Sequence, residues 1–193
     1  MADFAHDVRE ELARYLAPAE VCFRGSFERG SHDEYSDVDL RAEVRRALDG
    51  RFWSTLEDRL MGLYGPALVR YDPDFRGLTT SQNVRFSFFG LPVFWRVDLT
   101  VISGVDPGEK WPSPFPEWSS GTSALMNVIW AIKHHGRGDD ESANHYLASA
   151  CGKLDHEKLV YSTRNVLAIL DHLGAGGDTD ELLLAKTREA VSA

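Results

Sequence analysis

A strict alternation of polar and apolar residues constrains the fold of this chain more than any other feature. Residues 36–44, SDVDLRAEV, put Asp37 and Asp39 on one face of an extended segment and Val38 and Leu40 on the other. Such a segment is predicted to be a strand with one covered face and one open face. Because the two acids are two residues apart, their carboxylates project side by side from the open face.

A hairpin is predicted further along the chain. Strands at 84–89 and 93–102 are joined by a Gly-Leu-Pro turn at 90–92. The second strand is almost entirely apolar on one face, whereas Asp98 and Arg96 share the other face. A functional role for Asp98 therefore has an alternative, which is an exposed carboxylate paired with Arg96.

Helical periodicity accounts for most of the remaining chain. Apolar residues recur every three or four positions in six segments: 4–16, 45–63, 122–135, 140–150, 156–173 and 179–191. A short buried strand is expected at 20–24, and a Pro-rich extended crossover at 105–120.

These elements predict an α+β fold, in which a mixed β-sheet flanked by helices is followed by a C-terminal helical bundle. The expected domains are 1–112, which combines the strands with helices, and 113–193, a helical bundle.

Composition excludes several classes of protein. The 193 residues contain 21 Lys+Arg and 30 Asp+Glu, a net charge of −9, which argues against binding nucleic acid through overall charge. The longest strongly apolar stretch, 125–132, is too short to span a bilayer, and the acid-rich N-terminus lacks the pattern of a secretory signal. We therefore expect a cytoplasmic protein that binds neither nucleic acid nor membrane. A homodimer is compatible with the sequence.

Three polar features are expected to converge on the sheet. Gly25 and Ser26 follow the first strand, Asp37 and Asp39 start the next, and Asp98 lies on a later one. An isolated Asp-x-Asp is usually a turn or a solvated strand edge. The prediction of a functional site therefore depends on the combination of all three features. Clustered carboxylates repel one another unless a cation such as Mg²⁺ neutralises them. A Gly-Ser turn at a helix start suits phosphate oxygens.

The segments 23–30, FRGSFERG, and 35–40, YSDVDL, resemble the motif of the polymerase-β-like nucleotidyltransferase superfamily. That motif is an apolar strand, Gly-Ser, a spacer and Asp-x-Asp. The chain is especially similar to a small bacterial branch, which contains minimal nucleotidyltransferases and antibiotic adenylyltransferases of the aminoglycoside or lincosamide type. Arg24 departs from the motif, since an apolar residue is usual just before Gly-Ser.

The resemblance implies that 1–112 is a nucleotidyltransferase catalytic domain and that the bundle at 113–193 lies on the acceptor side of a cleft. It also implies a role for each motif residue. Asp37 and Asp39 would ligate Mg²⁺, with two ions expected. Asp98 would ligate the ion that activates an acceptor hydroxyl, or would accept its proton. Gly25 and Ser26 would hold the β and γ phosphates. ATP is the implied donor, and a nucleoside monophosphate would be transferred with release of pyrophosphate.

Two basic residues are further candidates for binding the triphosphate. Arg29 either contacts the triphosphate or is a surface charge. Lys133, on the first helix of the bundle, either reaches the triphosphate or extends along the surface with its ammonium in water. The adjacent His134 and His135 point in different directions on a helix, so they are not expected to share a metal ion.

The expected function is Mg²⁺-dependent transfer of AMP from ATP to a hydroxyl of a small, aminoglycoside-like molecule. The acidic composition favours a cationic acceptor. Two alternatives remain: an antitoxin-like minimal nucleotidyltransferase that adenylylates or binds a protein partner, and an inactive nucleotide-binding regulator.

Overall fold

The computed structural model describes residues 1–72, 78–108, 119–176 and 179–192. The described chain divides into two compact units. The first contains Met1–Leu91 and continues from Trp95, and the second contains Pro92–Phe94 and the helices from Ser120 onward. The predicted boundary between residues 112 and 113 and most of the predicted crossover at 105–120 lie outside the described residues.

The first unit combines strands and helices, as the alternating and helical patterns predicted. In chain order its elements are α1 (Ala2–Leu16), β1 (Val21–Phe23), α2 (Gly25–Glu28), β2 (Val38–Val44), α3 (Gly50–Tyr64), β3 (Ala67–Tyr71), β4 (Ser81–Phe88) and β5 (Arg96–Ser103).

The five strands form one mixed sheet in the order β1-β2-β5-β4-β3. The central pair, β2 and β5, is parallel, and every other neighbouring pair is antiparallel. Because a parallel pair needs a crossover connection, the chain between β2 and β5 passes through α3 and the strands β3 and β4. The sheet brings together segments that are far apart in the sequence.

One face of this sheet is apolar and forms the core with α1 and α3. Val38 and Leu40 of β2 and Phe86 of β4 are buried there, as are Leu12 of α1 and Trp53 of α3. Burial of these side chains is the main favourable term that holds the unit together. The opposite face carries the polar residues of the alternating pattern, including the charged side chains.

The second unit is helical in its described part. It contains α4 (Ser120–Gly136), α5 (Asp140–Lys153), α6 (Thr163–Gly176) and α7 (Glu181–Ser192). Apolar side chains on one stripe of each helix are buried, including Leu125, Leu147, Leu170 and Leu184. The mixed sheet, its flanking helices and the C-terminal helices confirm the predicted fold class.

Several predicted boundaries were wrong, for local reasons. The helix predicted from residue 45 begins at Gly50, because the side chain of Asp49 accepts a hydrogen bond from the backbone N–H of Phe52 and caps the helix there. The helix predicted from residue 156 begins at Thr163. There, Ser162 Oγ accepts a hydrogen bond from the backbone N–H of Asn165.

The hairpin was predicted correctly, but its connection is longer than a tight turn, because β5 begins at Arg96 rather than at residue 93. The outer strand β3 was not predicted, since its five residues are mostly half-buried and alternate weakly. None of the helices in the described ranges is both long enough and apolar enough to cross a membrane.

Replacing the buried Phe86 tests the core. We expect Phe86→Ala to lower the free energy of unfolding by about 3–5 kcal/mol, because the ring is fully buried in the sheet and its loss leaves a cavity. Chemical denaturation measures the change. Leu63→Ala is the control, because Leu63 lies on α3 with its side chain 56% exposed and should cost at most about 0.5 kcal/mol. Equal losses in the two variants would contradict this account of the core.

Candidate functional site

The parallel register of β2 and β5 brings two of the predicted carboxylates together. Asp39 lies directly opposite Asp98 in that register. Residues opposite each other on neighbouring strands project from the same face, so both carboxylates lie on the polar face of the sheet. Asp37 precedes β2 by one residue and, by the alternation, belongs to the same face.

The same row of the sheet continues with two arginines. Arg85 of β4 lies opposite Asp98, and Arg70 of β3 lies opposite Arg85. From the centre of the sheet to its β3 edge, the row therefore runs Asp39, Asp98, Arg85, Arg70. Four charged side chains from four strands share one line across the polar face.

Asp37 forms an ion pair with Arg96. The Arg96 Nη2 atom donates to Asp37 Oδ2 at 2.7 Å, and the two side chains are only 8% and 13% exposed. The alternative pairing of Arg96 with Asp98, considered from the sequence, was wrong. Residues two apart on one strand are about 6.6 Å from each other. Arg85, directly across from Asp98, is the nearer partner.

Both carboxylate oxygens of Asp98 accept hydrogen bonds from β4. Oδ2 accepts from Arg85 Nε at 2.8 Å, and Oδ1 accepts from the side-chain amide of Asn83. The Asn83 amide also donates to Thr100 Oγ1 at 3.0 Å. At its other end, the Arg85 guanidinium donates from Nη2 to Asp72 Oδ2 at 2.6 Å. One arginine thus bridges two carboxylates.

The electrostatics of the arginines follow from these contacts. Burial by itself lowers the pKa of Arg85, but the charges of Asp98, Asp72 and Asp37 and the Asp98 hydrogen bond outweigh it, and the net effect raises the pKa. The opposite holds for Arg70, whose pKa falls to about 10 because of burial and the positive charges of Arg85 and Arg96. The acids therefore stabilise the charge of Arg85, whereas burial and the neighbouring arginines disfavour the charge of Arg70.

Gly25 lies against Asp39. Its φ is +61°, and a Cβ at this position would be 2.4 Å from Asp39 Oδ2. The backbone angle favours glycine, and a Cβ would force the Asp39 carboxylate to move. The backbone N–H of Arg24 donates to the carbonyl of Asp39 at 2.8 Å, which fixes the Gly-Ser turn beside β2. Ser26 is the second residue of α2, where first-turn N–H groups have no partner inside the turn.

A tight loop positions the Asp-x-Asp segment. Ser36 is fully buried, and its Oγ donates to Asp33 Oδ1 at 2.9 Å and accepts from the backbone N–H of Asp33 at 3.0 Å. The backbone N–H of Tyr35 also donates to Asp33 Oδ1. These bonds hold the chain directly before Asp37. The serine of the Ser-Asp motif is therefore structural here.

The two basic candidates lie in different parts of the chain. Arg29 is exposed at the C-terminal end of α2, and its contact with a triphosphate stays a prediction. Lys133 belongs to the helical unit, where it is buried with its Nζ 4.3 Å from the centre of the Trp130 ring. It is not a surface lysine, so that alternative was wrong, and its triphosphate role stays a prediction.

The adjacent histidines point apart, as predicted. His134 Nδ1 lies 3.0 Å from Asp139 Oδ2, and His135 Nδ1 lies 2.7 Å from Asp140 Oδ1. Each histidine has its own carboxylate at the start of α5.

The carboxylates fit a divalent cation in their chemistry, although arginines pair with Asp37 and Asp98. Within residues 1–72, 78–108, 119–176 and 179–192, no group of three His, Cys, Asp or Glu side chains is arranged to hold a metal ion. Mg²⁺ prefers carboxylate oxygens, however, and Asp39 and Asp98 are in register. The lack of a Cβ on Gly25 lets Asp39 Oδ2 approach the Gly-Ser turn closely.

The sequence did not predict which residues pair with Asp37 and Asp98. Arg85, Asn83 and Asp72 were given no role, and Arg96 was matched with the wrong carboxylate. A signal was present in β4, where Asn83 and Arg85 alternate with the buried Val84 and Phe86. That pattern identifies a polar face, but only the strand order shows that this face adjoins Asp98.

Comparison with known families supports the motif. Residues 6–79 match the family model described as a nucleotidyltransferase domain. The match contains Gly25, Ser26, Asp37 and Asp39, whereas Asp98 and Lys133 lie beyond it. No significant match is found among curated proteins. The match confirms the resemblance inferred from the Gly-Ser and Asp-x-Asp segments.

Two glycines with similar backbone angles test the contact with Asp39. Gly30→Ala should cost about 1–2 kcal/mol of unfolding free energy, because its φ is +67° but nothing lies within 4 Å of the new Cβ. Gly25→Ala should cost more, since the Cβ would also collide with Asp39 Oδ2. Denaturant titration of both variants measures the difference, and equal costs would show that Asp39 does not confine Gly25.

The Arg96–Asp37 ion pair should contribute to stability. Arg96→Met leaves the poorly exposed Asp37 carboxylate without this partner, and we expect a loss of about 2 kcal/mol in unfolding free energy. Arg41→Met is the control, because Arg41 pairs with the exposed Glu43 and should change stability by at most about 0.5 kcal/mol. Thermal and chemical denaturation compare the two, and an Arg96→Met protein as stable as the control would contradict this assignment.

Proposed function

On the premise that the chain contains a nucleotidyltransferase domain, we propose that it is an adenylyltransferase that moves AMP from ATP to a hydroxyl of a small molecule. The oxygen of the acceptor forms a bond to the α phosphorus, the bond between the α phosphorus and the oxygen bridging to the β phosphate breaks, and pyrophosphate leaves. The domain itself is that of a transferase of the nucleotidyltransferase kind. The donor base, the acceptor and the cytoplasmic location belong to the proposal.

The observation that carries the proposal is the register of β2 and β5, in which Asp39 lies opposite Asp98 with Gly25 packed against Asp39. Asp37 and Asp39 would hold Mg²⁺, and Asp98 would complete the set. Bound Mg²⁺ supplies positive charge that neutralises the phosphates and favours ionisation of the acceptor hydroxyl. The backbone at Gly25 and Ser26 would bind the β and γ phosphates, with Arg29 and Lys133 as further candidates.

Each residue of this set has a defined task in the proposal. Asp98 would orient the acceptor hydroxyl and receive its proton, or pass that proton to water. The glycine at 25 lets the triphosphate approach the backbone closely. Holding the acceptor oxygen in line with the bond that breaks would lower the activation barrier of the transfer further.

The acceptor we propose is cationic and resembles an aminoglycoside, which would make antibiotic resistance the biological outcome. The net charge of −9 supports this choice, because an acidic protein attracts cations. We propose no role for nucleic acid or membrane.

Neutralising a motif carboxylate tests the enzyme directly. We expect Asp39→Asn to lower AMP transfer by roughly 100-fold or more, because half of the Asp39–Asp98 pair loses its charge. The assay follows label from [α-³²P]ATP into a panel of hydroxyl acceptors in the presence of Mg²⁺. Glu43→Gln is the control, since this residue is exposed on the same strand. Full activity in Asp39→Asn would rule out the proposed site.

A second function, a nucleotide-binding protein without turnover, is favoured by one observation. Two of the three motif carboxylates are engaged by arginine, Asp37 by Arg96 and Asp98 by Arg85. Calorimetry with ATP and Mg²⁺ alongside the transfer assay separates the two functions. Binding without transfer to any acceptor supports the regulator, whereas transfer supports the enzyme.

A further inference from the structure

The Arg85 guanidinium lies between two carboxylates on the polar face of the sheet. It donates to Asp98 Oδ2 through Nε at 2.8 Å and to Asp72 Oδ2 through Nη2 at 2.6 Å. Its side chain is 28% exposed, compared with 8% for Arg96. Arg85 is thus the more accessible of the two arginines that hold motif carboxylates.

The contact with Asp98 blocks a donor atom. A carboxylate oxygen that accepts a hydrogen bond from a guanidinium is a weak ligand for a cation at the same lone pair, and the positive charge of the arginine repels that cation. Asn83 donates to the other oxygen of Asp98. An ion that binds Asp39 and Asp98 together therefore competes with Arg85 for Oδ2.

Asp72 provides an alternative partner for Arg85. Because Nη2 already donates to Asp72, the guanidinium can leave Asp98 without losing every carboxylate contact. Displacement by a cation then ends the contact with Asp98 but keeps the pair with Asp72. The guanidinium is not left as an isolated buried charge, which would be much more costly.

From this geometry we propose that Arg85 is an internal counter-ion that competes with divalent cations for Asp98, and that Asp72 holds Arg85 when a cation binds. The proposal rests on the proposed function, since it takes Asp98 as a metal ligand. It makes Arg85 and Asp72 positioning residues, which set how tightly the site binds a cation before any nucleotide arrives. No covalent step is involved.

The test measures Mn²⁺ binding to the full chain without nucleotide, by electron paramagnetic resonance of free Mn²⁺. Arg85→Gln should tighten binding about tenfold, because the competing charge is removed. Arg85→Lys keeps the charge but cannot bridge two carboxylates in the same way, and it should tighten binding less than Arg85→Gln does. Arg41→Gln, which removes an arginine from the exposed pair with Glu43, is the matched control. It should tighten binding less than Arg85→Gln does, because Arg41 is exposed and does not contact Asp98.

Asp72→Asn tests the proposal that Asp72 holds Arg85 when a cation binds. Without Asp72, Arg85 is held by Asp98 alone, so Mn²⁺ binding should weaken about threefold. In an Arg85→Gln background the same substitution should have a much smaller effect, since Asp72 acts through Arg85. An equal loss in both backgrounds would mean that Asp72 contributes only its charge, and this would overturn its assigned role.

The outcomes separate this proposal from the proposed function. Circular dichroism first confirms that each variant is folded. Unchanged or weaker Mn²⁺ binding in folded Arg85→Gln overturns the counter-ion role, whereas binding that appears or tightens supports it. If wild-type protein binds Mn²⁺ and Asp39→Asn does not, the metal site stands even when the Arg85 result is negative. If neither wild type nor Arg85→Gln binds Mn²⁺, both the counter-ion role and the metal role in the proposed function fail.

Discussion

The parallel pairing of β2 with β5 is the constraint on which the site of this protein depends. These two strands are separated in the sequence by α3, β3 and β4, yet their register sets Asp39 opposite Asp98. The pairing is held by the buried face of the same strands, where Val38 and Leu40 of β2 pack with the core. A shift of β2 by one residue would turn Asp39 towards that core and Val38 and Leu40 away from it. Hydrophobic burial on one face therefore fixes the chemistry on the other.

Charge on the polar face is balanced largely by arginine. Asp37 and Asp98 each have an arginine partner, and Arg85 joins Asp98 to Asp72. This balance explains how several acids share one face of a sheet without strong mutual repulsion. Under the proposed function, a cation or a triphosphate would enter a site with existing ion pairs. Its affinity would then depend also on residues outside the motif.

Gly25 connects the two halves of the motif. Its left-handed backbone and the close approach of Asp39 Oδ2 make the Gly-Ser turn and the Asp-x-Asp strand a single packed unit. Ser36 and Asp33 fix the loop between them through side-chain hydrogen bonds. The spacing of the motif in the sequence thus reflects a geometric requirement, because the turn must return the chain to the start of β2 beside Gly25.

The sequence by itself determined the fold class, the polar face of β2 and β5, and the residues of the nucleotidyltransferase motif. Alternation with a period of two and helical periodicity are local properties, so they are visible in the chain. Strand order and register are not local, and only the tertiary structure decided that Arg85 faces Asp98, that Arg96 faces Asp37 and that β3 extends the sheet. A polar side chain in a strand can pair with any neighbour that the sheet brings beside it. Which neighbour this is depends on packing across the whole unit.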